Sequence, residues 1–287
     1  MSRKPRCMYC EREGIIAIAL KNRGGRNGYL CQWHASRTGD EDYSTRNNKT
    51  QGEAKKHGFT MGCEFECSNP TETLRAELIN HGFIPTRDCT TDTEFKSPIW
   101  QSMNPLPKKF KSIEQLLADG HGEVGHGDGT HFHVGHVEYI NAETNDYLAR
   151  FYHSLFIPLC EEMKANTQAT IDLFGRDFTG YACTINEYTS PRAHSNFINL
   201  QHSKTIEFRL CKFRTAKQYM NVTKFCVDAT KCIINNFIKH FNDDSSTDEK
   251  VRAKVAKFES VRAYRKHKAD VTANKLVGLY RKYAGLE

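Results

Sequence analysis

The stretch Phe59-Thr-Met-Gly-Cys-Glu-Phe-Glu-Cys67 alternates apolar residues with small or polar ones. Side chains at every second position of a β-strand lie on the same face of the sheet, so we expect a half-buried strand here. Its apolar side chains would face the core, and Glu64 and Glu66 would lie together on the opposite face. Carboxylates two residues apart on a strand are roughly 7 Å apart, which is close enough to share one site.

The chain around this stretch alternates strand-like and helix-like segments, which predicts an α+β fold. The first helix is expected to begin with Asn69 as its cap and Pro70 at its first position, and Pro158 is expected to kink a later helix. Further strands are predicted around 91–97, 130–137, 196–200 and 205–210, and helices at 70–82, 112–118, 145–163 and 216–241.

Two further predicted strands also place polar residues in pairs on one face. Asp92 and Glu94 share a face of one strand, and Glu207 and Arg209 share a face of Thr205-Ile-Glu-Phe-Arg-Leu210. Carboxylates alone are weak evidence, because exposed strand faces are commonly acidic. An arginine beside them suits a phosphate group, since its planar guanidinium binds two oxygens at once.

Histidines come from the segment Gly125-His-Gly-Asp-Gly-Thr-His-Phe-His-Val-Gly-His136. Its first three glycines let the backbone approach a ligand closely. His131 and His133 would share a strand face, where they could bind one metal ion or divide between metal and substrate. Carboxylates from three strands with one or two histidines favour Mg²⁺ or Mn²⁺. Such cations beside Arg209 suit phosphoryl transfer.

Cys7, Cys10, Cys31 and His34 form two pairs of candidate zinc ligands near the N-terminus. Each pair has a two-residue spacing, and the pairs can together surround Zn²⁺ tetrahedrally. Such a zinc ion would be structural, because no coordination position stays open for chemistry. A small hairpin is expected between the pairs. The alternative is that these four residues are unrelated members of a chain with eleven cysteines.

The net charge of +7 is concentrated at the two ends of the chain. Residues 1–60 carry +6 and residues 249–287 carry +7, whereas residues 61–248 carry −6. The basic ends could recruit a macromolecular partner such as a protein or a nucleic-acid complex, and the acidic middle suits cations. Without a secretory signal, an apolar run long enough for a bilayer or a disulfide-like cysteine spacing, we expect a cytoplasmic protein and no membrane partner.

Four motifs follow one another along the middle of the chain, namely Gly62-Cys-Glu-Phe-Glu66, Asp92-Thr-Glu94, Gly129-Thr-His-Phe-His-Val134 and Ile206-Glu-Phe-Arg209. In combination they resemble the amidoligase family, of the glutamine synthetase and glutamate-cysteine ligase superfamily. The resemblance implies ATP-dependent joining of a carboxylate to an amine through an acyl-phosphate. It also implies a curved antiparallel sheet that holds two or more divalent cations. Family members with extra modules are similar to bacteriophage proteins, in which case the host cytoplasm is the expected location.

The resemblance implies a role for each matching residue. The metal ligands would be Glu64 and Glu66 on different Mg²⁺ ions, Glu94 on one of them, and Glu207 with His131 on the other, with Asp92 as a further candidate. His133 would lie near the nucleotide, Arg209 would stabilise the phosphoryl group, and Arg192 is a weaker candidate for phosphate or a substrate carboxylate.

Composition and the extent of the resemblance divide the chain into four segments. Residues 36–58 offer almost nothing to bury and are predicted to be a flexible linker. We expect a zinc-binding module over 1–35, an amidoligase-like catalytic domain over 59–242, and a basic helical segment over 243–287.

Two other functions stay open. The chain could be a zinc-containing nucleic-acid-binding protein with a non-catalytic middle domain, although a decayed site should have lost at least one of its candidate ligands. It could also be a metal-dependent hydrolase that uses His126, His131, His133 and His136. That hydrolase would leave Glu64, Glu66 and Arg209 without a role. The identity of the acid and the amine is not encoded in any recognisable motif.

Overall fold

A six-stranded antiparallel sheet forms the centre of the protein. The computed structural model describes residues 21–22, 29–30, 58–86, 94–125, 127–180 and 182–287. Within these residues the fold is α+β, which confirms the predicted class. Several candidate ligands lie outside the described residues, namely Cys7, Cys10, Cys31, His34, Asp92 and His126.

Five strands of the large sheet lie within predicted segments and are shorter than those segments, whereas the strand Ile84–Thr86 was not predicted. Near the N-terminus, β1 (Lys21–Asn22) pairs with β2 (Tyr29–Leu30), in agreement with the predicted hairpin. The large sheet has the order β4-β5-β3-β6-β8-β7. Its strands are β3 (Phe59–Glu66), β4 (Ile84–Thr86), β5 (Glu94–Lys96), β6 (Thr130–His136), β7 (Ile198–Asn199) and β8 (Ile206–Phe208).

The register of the central strands puts the polar side chains on one face. Glu64 of β3 lies opposite His131 of β6 and opposite Lys96 of β5. His133 of β6 lies opposite Glu207 of β8. Because directly opposed residues in an antiparallel pair point to the same side of the sheet, these side chains share one face.

Eight α-helices are present in the described part of the chain. None of them combines the length and the apolar character that a bilayer-spanning helix requires. They are α1 (Glu72–Asn80), α2 (Leu106–Ala118), α3 (Ala142–Arg150), α4 (Tyr152–Ala165), α5 (Thr167–Phe174), α6 (Ala216–Asn236), α7 (Glu249–Val255) and α8 (Val261–Ala284).

All four helix predictions were wrong in detail, and α2 begins at Leu106 while α6 ends at Asn236. Thr71, not Asn69, caps α1, because its hydroxyl accepts a hydrogen bond from the Leu74 N–H, while Asn69 has a φ of 50°. The predicted helix 145–163 is divided into α3 and α4, because Phe151 between them has a non-helical backbone with φ −117° and ψ 16°. Pro158 lies inside the second of them, α4.

The other face of the sheet carries the core. Phe132 of β6 packs against Tyr219 of α6 with ring centroids 4.8 Å apart, and Phe110 of α2 packs against the same ring at 4.5 Å. Phe65 of β3 and Phe208 of β8 are buried in the same cluster. Helix α6 therefore closes the apolar face and leaves the polar face for other contacts.

The basic C-terminal segment contributes to the same core. Leu276 and Tyr280 of α8 are fully buried, and the Tyr280 hydroxyl lies 2.7 Å from the Thr170 hydroxyl of α5. The same helix exposes three basic residues, Lys266, Arg281 and Lys282. Helix α8 is thus docked on the core, with part of its positive charge in solvent.

Replacing Tyr280 by phenylalanine tests this docking. The Tyr280→Phe variant should lose about 1 kcal/mol of unfolding free energy, because the buried Thr170 hydroxyl loses one hydrogen bond and keeps the one that it donates to the Met163 carbonyl. Urea denaturation followed by circular dichroism measures the change. Tyr188, whose side chain is 88% exposed, provides the control, and equal stability of Tyr280→Phe and Tyr188→Phe would contradict the docking.

Candidate active site

Three side chains from three adjacent strands converge at the middle of the polar face. One ligand atom each from Glu64, His131 and Glu207 lies within 4.8 Å of the others. The His131 Nδ1 atom is 3.2 Å from Glu64 Oε2 and 3.3 Å from Glu207 Oε1. Antiparallel pairing of β3, β6 and β8 produces this convergence from residues far apart in the sequence.

Glu207 is the most buried and most strongly held carboxylate of the group. Its Oε1 accepts a hydrogen bond of 2.7 Å from Arg209, and its Oε2 accepts one of 2.6 Å from Asn199. The Nε2 atom of His202 lies 2.9 Å from Oε2. Burial raises the pKa of Glu207, but the His202 hydrogen bond and the charges of His133, His131 and Arg209 outweigh it and hold that pKa at about 2. Glu207 is therefore ionised at neutral pH.

Glu64 and His133 shift each other's pKa values toward their charged forms. Burial acts to raise the pKa of Glu64, yet the hydrogen bond with His131 and the adjacent imidazole of His133 hold it below its usual range. Burial acts to lower the pKa of His133, and the nearby charge of Glu64 raises it instead. The polar face thus stabilises negative charge on Glu64 and positive charge next to it.

Glu66 and Glu94 lie opposite each other on β3 and β5. Both are buried, and burial raises the pKa of Glu66. The Lys96 Nζ atom lies 3.2 Å from Glu94 Oε1 and 3.3 Å from Glu64 Oε1, and those two carboxylates raise the pKa of Lys96 against the effect of burial. Two carboxylates that lie opposite each other repel, and the positive charge of Lys96 reduces this repulsion. The sequence alone did not indicate a role for Lys96.

Arg176 is a second residue that the sequence did not reveal. Its guanidinium is buried and donates a 3.3 Å hydrogen bond to the Asp128 carbonyl. A side chain at Gly129 would lie 3.2 Å from Arg176 Nη1 and 3.3 Å from Glu66 Oε2, so glycine permits this close approach. The Gly129 N–H donates a 2.5 Å hydrogen bond to Glu66. The sequence offers one signal for this position, because Arg176 directly follows Gly175, which ends α5.

The two candidate arginines have different environments. Arg209 is buried, bound to Glu207, and has its Nη1 atom 3.4 Å from the Nε2 atom of His194. Arg192 is exposed and forms an ion pair with Asp146 of α3. The structure therefore places Arg209 within the carboxylate cluster, and it places Arg192 in a separate surface ion pair.

A cavity of about 590 Å³ adjoins the cluster on the polar face. Gly62, Glu64, His133 and Thr205 are among its lining residues, together with residues 202–204 of the loop that joins β7 to β8. A Cβ atom at Gly135 would come within 2.7 Å of the Lys204 carbonyl oxygen, so this loop runs directly over β6. The cavity is large enough for a small-molecule substrate.

His202, a third residue that the sequence did not reveal, belongs to this loop. Asn145 of α3 fixes the loop by donating hydrogen bonds to the carbonyls of His202 at 2.5 Å and of Thr205 at 3.2 Å. The sequence does contain a signal for this contact. His202 lies five residues before Glu207, in a short connection between two strands, and could therefore have been predicted to lie near it.

The four histidines named for a hydrolase do not all lie together. His131 and His133 share the polar face, whereas His136 packs edge-on against Phe59 with ring centroids 4.6 Å apart. The Nδ1 atom of His136 accepts a hydrogen bond from the Glu138 N–H, and burial lowers its pKa. His136 therefore contributes to the cavity rim and not to the cluster.

The Glu64, His131 and Glu207 group fits a divalent cation. Two ligands about 2.1 Å from an octahedral ion are roughly 3.0 Å apart, and the separations of 3.2 and 3.3 Å around His131 Nδ1 come close to this value. Two carboxylates with one imidazole form a donor set suited to Mg²⁺ or Mn²⁺.

Comparisons with known proteins give little further information. No family model matches the chain, and no curated protein matches it. Among solved structures, one similar chain comes from the crystal structure of a novel glutamine synthase homolog. The alignment covers 85% of this chain and 74% of that chain, with 12% sequence identity and a TM-score of 0.27. So low a TM-score does not establish a shared fold, and the site therefore rests on the geometry of its own residues.

Proposed function

We propose that this protein is an ATP-dependent carboxylate-amine ligase that forms an amide or peptide-like bond through an acyl-phosphate. The supporting observation is the convergence of Glu64, His131 and Glu207 from three adjacent strands, with Arg209 hydrogen-bonded to Glu207. The order of the sequence motifs, which resembles that of the amidoligases, supports the same function. A glutamine synthetase-like catalytic domain over 59–242 is part of the proposal.

The cation site explains why so many carboxylates share one face. Mg²⁺ or Mn²⁺ held by Glu64, His131 and Glu207 would neutralise the phosphate oxygens of ATP. Glu66 and Glu94 are the candidates for a second ion. Lys96, which contacts Glu94 at 3.2 Å, would have to move for that ion to bind.

Arg209 supplies the positive charge that phosphoryl transfer requires. Glu207 fixes one edge of its guanidinium, so the planar cation is held in place beside the carboxylate cluster. In that position it would stabilise the charge on the transferred phosphoryl group. Arg176 adds a second buried guanidinium near Glu66.

The chemical sequence has two steps. An oxygen of the substrate carboxylate attacks the γ-phosphorus, and ADP leaves with the electrons of the broken P–O bond. The amine then attacks the acyl carbon, loses a proton and displaces inorganic phosphate. The cavity beside Glu64 and His133 would hold the substrate during these steps. The two basic ends and the structural zinc on Cys7, Cys10, Cys31 and His34 stay predictions from the sequence.

ADP release in Mg²⁺, measured across pools of amino acids and amines, tests the proposal. Substrate-dependent ADP formation that disappears in Glu66→Ala supports a ligase. Tight nucleic-acid binding without ATP turnover in any pool would favour the nucleic-acid-binding alternative instead.

The Arg209→Lys variant isolates the role of the guanidinium in the same assay. Lysine keeps the charge but lacks the planar pair of donors, so we expect ADP formation to fall by about 10²–10³-fold. Arg214, an exposed arginine on the neighbouring segment, gives the matched control Arg214→Lys, which should keep the wild-type rate. Equal rates in the two variants would remove Arg209 from the mechanism.

A further inference from the structure

A second group of metal-binding side chains lies beside the first and consists of His133, His202 and Glu207. One ring nitrogen of each histidine and one Glu207 oxygen lie within 4.8 Å of one another. The two imidazole rings meet edge to face with centroids 4.9 Å apart. The family resemblance gives His202 no role and places His133 near the nucleotide, so this group has no assigned function.

Glu207 presents a different oxygen to each group. Its Oε1 lies 3.3 Å from His131 Nδ1, on the side of the Glu64 cluster. Its Oε2 lies 2.9 Å from His202 Nε2. Hydrogen bonds from Arg209 to Oε1 and from Asn199 to Oε2 keep the carboxylate in this orientation. A carboxylate held this way can bind one cation through each oxygen, as in sites with two adjacent metal ions.

The two histidines are suitably placed for an ion. His133 Nε2 is buried and lies 3.6 Å from Glu64 Oε1, beyond hydrogen-bond distance, and a buried polar atom without a hydrogen bond costs free energy. Its Nδ1 atom lies 3.3 Å from the Thr205 hydroxyl, which helps to orient the ring. The His202 side chain is 45% exposed, so an ion can reach the group from solvent.

We propose that His133, His202 and Glu207 bind a divalent transition-metal ion such as Zn²⁺ or Co²⁺. Two imidazoles and one carboxylate favour such ions, whereas Mg²⁺ favours sites in which carboxylate oxygens predominate. Ligands at about 2.1 Å from a tetrahedral ion are roughly 3.4 Å apart, so small side-chain rotations would close this group around it. The site goes beyond the proposed ligase function, whose cations are placed on Glu64, His131 and Glu207 and on Glu66 and Glu94.

Uptake of Co²⁺ by the full chain tests the site without ATP. Equilibrium dialysis in excess Mg²⁺, which occupies carboxylate-rich positions, should show one Co²⁺ fewer per chain for His202→Ala than for the wild type. At limiting Co²⁺ the affinity at this site should fall at least about tenfold. His267 is an exposed histidine of α8, and His267→Ala should bind as much Co²⁺ as the wild type.

The visible spectrum identifies the ligands of the lost ion. The wild type minus His202→Ala difference should show the absorption of nitrogen- and oxygen-bound Co²⁺ without a thiolate charge-transfer band, which separates it from ions bound by cysteines. Equal melting temperatures of the metal-free proteins would show that His202→Ala is folded.

Equal Co²⁺ uptake by the wild type and His202→Ala would overturn the proposal, as would a thiolate band in the difference spectrum. A protein that binds this Co²⁺ but never releases ADP would keep the metal site and lose the ligase function. The two proposals therefore fail separately.

Discussion

Replacing Glu207 by glutamine should lower ADP formation by about 10³-fold or more and should also weaken cation binding. Glu207 is ionised, is almost fully buried, and receives hydrogen bonds from Asn199 and Arg209. Glutamine has the same shape but no charge, and its NH₂ group would point at one of these donors. Both the charge and the orientation of the cluster would therefore be lost. Initial rates of ADP release and Mn²⁺ titration measure the two effects.

Glu187 provides the matched control, because it is an exposed glutamate in the segment between α5 and β7. Glu187→Gln should leave both the rate and the Mn²⁺ affinity unchanged. Circular dichroism at 25 °C establishes whether Glu207→Gln is folded. A folded Glu207→Gln protein with the wild-type rate would exclude Glu207 from the active site.

Replacing Gly175 by alanine should have the largest effect on stability. Gly175 ends α5 with a φ of 82°, and an added Cβ would lie 2.1 Å from the Lys212 carbonyl oxygen. The left-handed backbone alone costs about 1–2 kcal/mol for alanine, and overpacking adds about 1–3 kcal/mol. We expect a loss of about 2–5 kcal/mol in unfolding free energy, toward the upper end because the contact is with backbone. Urea denaturation measures it.

Gly120 separates the two causes. Its φ of 81° is nearly the same, but no atom lies within 4 Å of an added Cβ. Gly120→Ala should therefore cost only the backbone contribution of about 1–2 kcal/mol. If both variants lose the same free energy, the close approach between Gly175 and Lys212 is not rigid. Since Arg176 follows Gly175, the displaced backbone should also lower ADP formation in Gly175→Ala.

Alternation along single strands made the two faces of the sheet predictable. Glu64 and His131 lie on the polar face, and Phe65 and Phe132 lie in the core, as a period of two requires. This pattern is local, so the sequence contains it directly. The α+β class followed from the same local patterns.

Contacts between distant segments were not predictable in this way. Lys96 lies between Glu64 and Glu94 only because of the pairing register of β3 and β5. Arg176 reaches Glu66 from the end of α5, and His202 reaches Glu207 across the loop between β7 and β8. Each contact depends on how strands and helices are arranged in three dimensions, which the alternation along single strands does not determine.

Strand β6 presents Phe132 to the core and His131 and His133 to the opposite face. A slip of one residue in its pairing would move Phe132 into the cavity and bury both imidazoles. Such a misaligned chain would lose its core and its cation ligands together. Cation affinity at the proposed site should therefore depend on the correct alignment of β6.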